Sequence, residues 1–174
     1  MTETNADLDR NPRNLREINR RIASLVVISS DGKILMGRKD PSKGGVYADA
    51  WHIPGGGIKR KIDGMEESLE EAARREGQEE VVGLDLTGQK LTPIPFIGHG
   101  ESVKTLDAGE EVWCNMEFNR LEVRLTQTAI ELEGILKPGD DLVELHWFDE
   151  DELSSAEQIP GGKEFFVEAG YLKA

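Results

Sequence analysis

The stretch that most constrains this chain is Arg75-Glu76-Gly77-Gln78-Glu79-Glu80, followed by Val81-Val82-Gly83. Leu69, Ala72 and Ala73 ahead of it are good helix formers, and Gly83 stands where a C-terminal cap belongs. The pattern therefore predicts a helix over 66–82. Each helical residue turns about 100°, so Glu76, Glu79 and Glu80 share one sector of the surface. Like charges at these spacings oppose an isolated helix by roughly 0.2–0.5 kcal/mol per pair. A divalent cation among them removes that repulsion, and hard cations such as Mg²⁺ take oxygen ligands and share their shell with substrate phosphates. The competing reading is a solvated acidic face, to which Glu66, Glu67, Glu70 and Glu71 are assigned. What favours the cation is the upstream Pro54-Gly55-Gly56-Gly57 turn. It brings backbone amides and carbonyls close to a ligand without Cβ interference.

The rest of the chain reads as one α/β (α+β) domain over 21–174, preceded by a polar arm over 1–20. Strands are expected at 22–28, 33–38, 51–53, 91–97, 112–125 and 142–148. Pro93 and Pro95 make the fourth an irregular edge strand. Ser30-Asp31-Gly32 and Pro138-Gly139-Asp140-Asp141 read as turns, with a capping box at Asp149 and Glu152 and a short amphipathic helix over 163–169. Mixed strands with helices on both sides imply a sandwich.

Charge excludes some functions. Against 21 Lys and Arg stand 34 Asp and Glu, a net of −13. That balance argues against gripping polymeric nucleic acid or docking on an anionic membrane. It leaves room for a small phosphorylated ligand whose charge a metal ion offsets. One cysteine, Cys114, allows no intrachain disulfide, and the apolar run at 25–28 is too short to span a membrane; a cytoplasmic setting is expected.

These motifs resemble the Nudix hydrolase box, G-x5-E-x7-R-E-U-x-E-E-x-G-U. Glu67, seven intervening residues, Arg75-Glu76, two residues and Glu79-Glu80 match it, and Trp51-His52-Ile53-Pro54-Gly55-Gly56 looks like the strand that leads in. The chain departs from the box in three places. Ten residues separate Gly56 from Glu67 where the family has five, Gly77 takes a bulky position, and Gly83 falls one residue late. The extra segment unsettles the expected position of the glycine loop, and a glycine at 77 leaves space where a side chain would pack.

The resemblance implies a Nudix-type α/β/α sandwich with a mixed sheet and a Mg²⁺- or Mn²⁺-dependent pyrophosphohydrolase. Such an enzyme cleaves a nucleoside diphosphate linked to another group by metal-activated water. It makes Glu76, Glu79, Glu80 and Arg75 the catalytic set, with Arg75 orienting the carboxylates. The metal ligands would be Glu76, Glu79, Glu80, the carbonyl of Gly55 or Gly56, and a late-loop acid. Asp141 is the candidate for that acid, with Asp140 and Glu144 as alternatives and a plain Pro-Gly-Asp turn as the competing reading. Arg38, Gly56, Gly57 and Lys59 are candidates for substrate contact. Arg38 reads equally as a strand-end cation, and Lys59-Arg60-Lys61 as a solvated insertion. A Nudix-like sensor that binds nucleotide without turnover is the alternative.

The markers of ADP-ribose, diadenosine-polyphosphate and coenzyme A specificity are not met, since Pro93 and Pro95 fall too close to the box and Tyr47 and Tyr171 lie elsewhere. Damaged nucleoside triphosphates remain by elimination. The partners expected are small nucleotides, without polymeric nucleic acid or membrane. A homodimer through the partly polar strand at 112–124 is possible on this reading.

Overall fold

The computed structural model describes residues 11–43, 47, 49–140 and 142–174. The elements run β1 (Glu17–Ile28), β2 (Ile34–Lys39), β3 (Trp51–His52), β4 (Gly55–Gly57), α1 (Leu69–Glu80), β5 (Val81–Val82), β6 (Thr92–Thr105) and β7 (Glu111–Arg124). They continue with α2 (Ala129–Glu133), β8 (Lys137–Pro138), β9 (Leu142–Phe148), α3 (Glu150–Ser155) and α4 (Gly162–Glu168).

The main sheet is mixed and forked. Strand β1 lies parallel to β7 along its whole length, from Glu17 opposite Trp113 to Ile28 opposite Arg124. It meets β2 only at Ile28 and Ile34, and the two then diverge. The segment 51–57 fills the fork: β3 pairs with β2, while β4 pairs with β1 at Ile22–Gly57, Ala23–Gly56 and Ser24–Gly55. Pro54 turns between them, and its carbonyl accepts from the Leu25 N–H at 2.8 Å. The glycine run is thereby a sheet strand held at the mouth of the fork. On the far side of β2 lies β9, and β6 closes the other edge against β7.

The continuous apolar run of β1 is explained by burial on both faces. Ala23, Leu25 and Val27 pack under α1 with Ala72, Ala73, Val81 and Leu121. Val26 and Ile28, with Ile34 and Met36, pack against Leu153, Phe165 and Phe166 of α3 and α4. This is the expected α/β/α sandwich. Small residues bring α1 close to the sheet. At Gly77 the space is already taken: an added Cβ would stand 3.0 Å from Leu25 Cδ2.

Several boundaries differ from expectation for physical reasons. Strand β1 begins at Glu17, inside the segment read as a polar arm, because β7 supplies it with a partner strand from Trp113 onward. Helix α1 starts at Leu69, where Ser68 and Glu71 form a reciprocal capping box, and ends at Glu80. Val81 and Val82 leave it to pair with Pro138 and Lys137, so Gly83 (φ 92°) closes that bridge rather than the helix. Helix α2 was not expected, although Thr128 and Glu131 form a second capping box in front of it. The route to a dimer through β7 is closed, since β1 and β6 occupy both its edges. Among the described residues no helix is long and apolar enough to cross a membrane.

Candidate active site at the glycine strand

The C-terminal half of α1 lies over β4. Glu76 and Glu80 are 7% and 4% exposed. The Gly55 N–H donates to Glu80 Oε2 at 3.0 Å. Gly56 lies directly beneath the other acid, for an added Cβ would stand 2.5 Å from the Glu76 carboxylate. Gly56 is thus needed for close approach, and any side chain there would displace an acid.

Two acids buried side by side carry an electrostatic cost. Burial, opposed in part by the Gly55 amide and reinforced by the charge of Glu76, pushes the Glu80 carboxyl up to about 7. The helix adds to this cost: its C-terminal end bears roughly half a negative charge, and its last turn contains no basic residue. The protein therefore concentrates negative charge where solvent does not relieve it, a pattern typical of functional sites.

Arg75 organises the other side. Its Nε donates to Glu67 Oε1 at 2.7 Å and its Nη2 to Glu67 Oε2 at 2.9 Å and to the Gly57 carbonyl at 3.0 Å. Nη1 bonds Glu76 and reaches Glu79 Oε2 at 3.2 Å. Those carboxylates hold the guanidinium charged and raise its pKa. Glu67 is not the solvated acid expected. Its side chain is 11% exposed, and the Arg75 fork lowers its pKa to about 2.

The inserted segment leaves this arrangement in place because it folds back on itself. Lys61 N bonds Met65 O, Arg60 bridges Glu66, and Lys59 N donates to Glu67 Oε2. The extra residues form a closed hairpin whose ends stay at the glycine strand and at Glu67.

The expected residues are brought together unevenly. Among the described residues no three His, Cys, Asp or Glu side chains are gathered closely enough to hold an ion. Glu76 and Glu80 face β4 together, whereas Glu79, 44% exposed, turns outward to Arg75 and lies 3.9 Å from Lys59. Lys59 is therefore beside the acids, on the solvent side. Arg38 is occupied, bonding Asp49 and sharing Glu144 Oε2 at 2.9 Å. That contact uses Glu144 as well. Asp141 lies outside the described residues. Asp140 (φ 49°) is the late acid whose charge reaches Glu80. It is brought there by Gly139, whose N–H bonds the Glu80 carbonyl at 2.9 Å and whose lack of a side chain lets the turn dock on the helix end.

One neighbour was missed by sequence reasoning. His52, on β3, donates from Nδ1 to the Ile53 carbonyl at 3.0 Å, and its buried Nε2 has no hydrogen-bond partner among the described residues. Burial lowers its pKa and keeps it neutral. It stands three residues before Gly55 in the chain, but no metal-ligand spacing marks it.

The donor set suits a hard divalent cation. Two adjacent buried carboxylates and glycine carbonyls offer oxygen ligands, and a cation would relieve the repulsion between the acids.

Known proteins share this fold. The NUDIX domain profile matches residues 18–168. Among curated proteins none matches the chain by sequence. Solved structures share the fold at low identity. The E. coli dihydroneopterin triphosphate pyrophosphohydrolase superposes with a TM-score of 0.63 at 14% identity, covering 85% of this chain and 92% of that one. The M. smegmatis Nudix hydrolase RenU gives 0.57 at 17% identity, covering 88% of both chains. The NUDIX domain of Shewanella oneidensis NrtR, solved with ADP ribose, gives 0.56 at 15% identity, covering 97% of both. With the profile spanning most of the sequence, and the sandwich and the acid-bearing helix in place, the chain belongs to the NUDIX domain family, the Nudix hydrolases.

Proposed function

We propose that the protein is a divalent-metal-dependent pyrophosphohydrolase acting on a small nucleotide in which a nucleoside diphosphate is linked to another group. The observation that carries this reading is the burial of Glu76 and Glu80 side by side against Gly55 and Gly56, with Glu80 pushed up to about 7. Mg²⁺ or Mn²⁺ would be held by Glu76, Glu80 and a glycine carbonyl, joined by Glu79 once it turns from Arg75, and by an acid of the 139–141 turn. The ion supplies charge for the phosphate oxygens and lowers the pKa of bound water.

The chain's own residues set the rest. Arg75 is a positioning residue: it fixes Glu76 against Gly57 and ties both to Glu67. A carboxylate of this set that is not engaged by the ion can take the proton from the attacking water, and Glu76, Glu79 and Glu80 are the candidates.

The test is release of a nucleoside monophosphate from a panel of nucleoside triphosphates, nucleotide sugars and dinucleotides in Mg²⁺. Turnover of at least one panel member, lost on chelation and in Glu80→Gln, is expected. Tight nucleotide binding without turnover in saturating Mg²⁺ would replace this reading with a sensor.

A further inference from the structure

We propose that the inserted hairpin at 58–67 is a docking arm for a second copy of this chain. Its tip meets the partner's exposed ribbon of β5 and β8, and two copies pair about a two-fold axis perpendicular to α1. This goes beyond the hydrolase reading and does not depend on it.

The root of the hairpin is committed to its own fold. Ile58 packs against the core under α1, and the Lys59 N–H bonds Glu67. The tip is equally rigid but touches no core. The Lys61 N–H donates to the Met65 carbonyl at 2.7 Å, the Gly64 N–H to the Lys61 carbonyl at 2.9 Å, and the Met65 N–H to Asp63 Oδ1 at 2.9 Å. On this fixed turn Ile62 is fully exposed and Met65 is 66% exposed. One exposed apolar side chain is ordinary. Two on a short, pre-ordered turn offer a contact whose backbone loses little further freedom on binding.

Charge narrows what the tip can meet. Lys59-Arg60-Lys61 is the only run of three consecutive cations in a chain of net charge −13. It outnumbers Asp63 and Glu66, and Glu67 is held by Arg75. The complement is a surface both apolar and acidic, and this chain carries one at the other end of α1. Val82 is 50% and Ile135 59% exposed, while Val81 and Leu136 beside them are buried. Ile135 lies against Gly83, where an added Cβ would stand 3.8 Å from its Cγ2, so the two apolar side chains are neighbours. Exposed acids lead into and flank this ribbon: Glu131 and Glu133 of α2, Glu79 at the helix end and Asp140 of the turn docked there, against Lys137.

The helix sets the spacing. Lys59 lies 3.9 Å from Glu79 and Lys61 3.3 Å from Glu71, so the hairpin runs along α1 and its tip projects past the first turn. The ribbon starts where the last turn ends. Twelve helical residues span about 18 Å. Two copies with α1 antiparallel therefore set each tip on the other's ribbon, and the pair closes with two identical contacts. The α1 acids between those contacts are already paired within each copy, Glu70 with Arg74, Glu71 with Lys61 and Glu79 with Arg75.

The experiment is sedimentation velocity on the intact protein across a concentration series. Wild type should reach twice the monomer mass, and 1 M NaCl should weaken the dimer several-fold by screening the charged contacts. Ile62→Asp/Met65→Asp and Val82→Asp/Ile135→Asp should each raise the dimer dissociation constant at least tenfold. Mixing those two variants should restore a dimer that neither forms alone, because the mixture keeps one intact tip and one intact ribbon. A second readout is disulfide trapping. Ile62→Cys mixed with Ile135→Cys should cross-link one of each under mild oxidation, with buried Cys114 left in place. A monomer at every concentration, or a dimer indifferent to both variants, would overturn the proposal. Ile62→Cys linking to itself as readily as to Ile135→Cys would mean tip-to-tip pairing and would overturn it too. A monomer that binds phosphatidylserine vesicles through Ile62 and Met65 would make the arm a membrane contact and overturn it as well.

Discussion

The two halves of α1 are built from the same residue type and treat it in opposite ways. In the first turn Glu70 pairs with Arg74 at 2.8 Å and Glu71 completes the box with Ser68 and reaches Lys61. These acids sit in water at the helix end where the macrodipole favours them. In the last two turns Glu76 and Glu80 are buried, crowd each other and lie at the end the dipole disfavours. The first half builds the helix. The second half stores electrostatic cost at a place where a bound cation would relieve it. Position in the fold, more than residue identity, divides the acids that build the helix from those proposed to hold a cation.

The sharpest way to break that contrast is to neutralise one acid in each half. Glu80→Gln should lower kcat/KM for the best panel substrate by about 10²–10⁴-fold, the range of a lost acid–base or ligand group. It should leave the metal-free melting temperature equal or higher, since it removes a buried charge. Glu70→Gln should change kcat/KM less than twofold. Equal losses in both variants would erase the distinction.

Gly56→Ala tests close approach. The added methyl meets the Glu76 carboxylate, so kcat/KM should fall by ten- to a hundredfold, with about 1–3 kcal/mol of stability lost to overpacking in urea denaturation.

The Glu67–Arg75 fork gives a pH test. The Glu67 pKa falls from 4.5 unfolded to about 2 folded. Its stabilisation is therefore complete above about pH 4.5 and is lost as pH falls toward 2. Acid denaturation of Glu67→Gln should have a shallower limb across that window than wild type, and identical limbs would show that the fork contributes nothing.

The smallest effect is expected at Gly77→Ala. Helix propensity gains about 1 kcal/mol, and crowding of Leu25 at 3.0 Å offsets it, so the net change in urea denaturation should stay within about 1 kcal/mol. A larger loss would show that α1 has no slack against β1.

These contrasts also mark what sequence can carry. The acid triplet, the glycine turn and the run at 22–28 announce themselves through local spacing, and the sandwich follows from burial on both faces of β1. Sequence assigns Glu67 to the solvated face because its partner, Arg75, lies eight residues away and meets it only across the end of the inserted hairpin. The strand at 17–20 is polar and gains its structure from β7, nearly a hundred residues on. The seating of Gly55–Gly57 as a sheet strand comes from the fork between β1 and β2, a tertiary feature without periodic signature. Gly77 signalled a void in sequence but marks tight contact in the fold, since spacing does not report what stands opposite.

The central claim is that Glu76 and Glu80 hold a divalent cation. Titration of Mn²⁺ into the metal-free protein, followed by the loss of free-ion electron paramagnetic resonance signal, addresses it directly. Wild type should take up Mn²⁺ with saturation, and Glu76→Gln/Glu80→Gln should bind at least a hundredfold more weakly while still folded. Equal uptake by the two proteins would contradict the account.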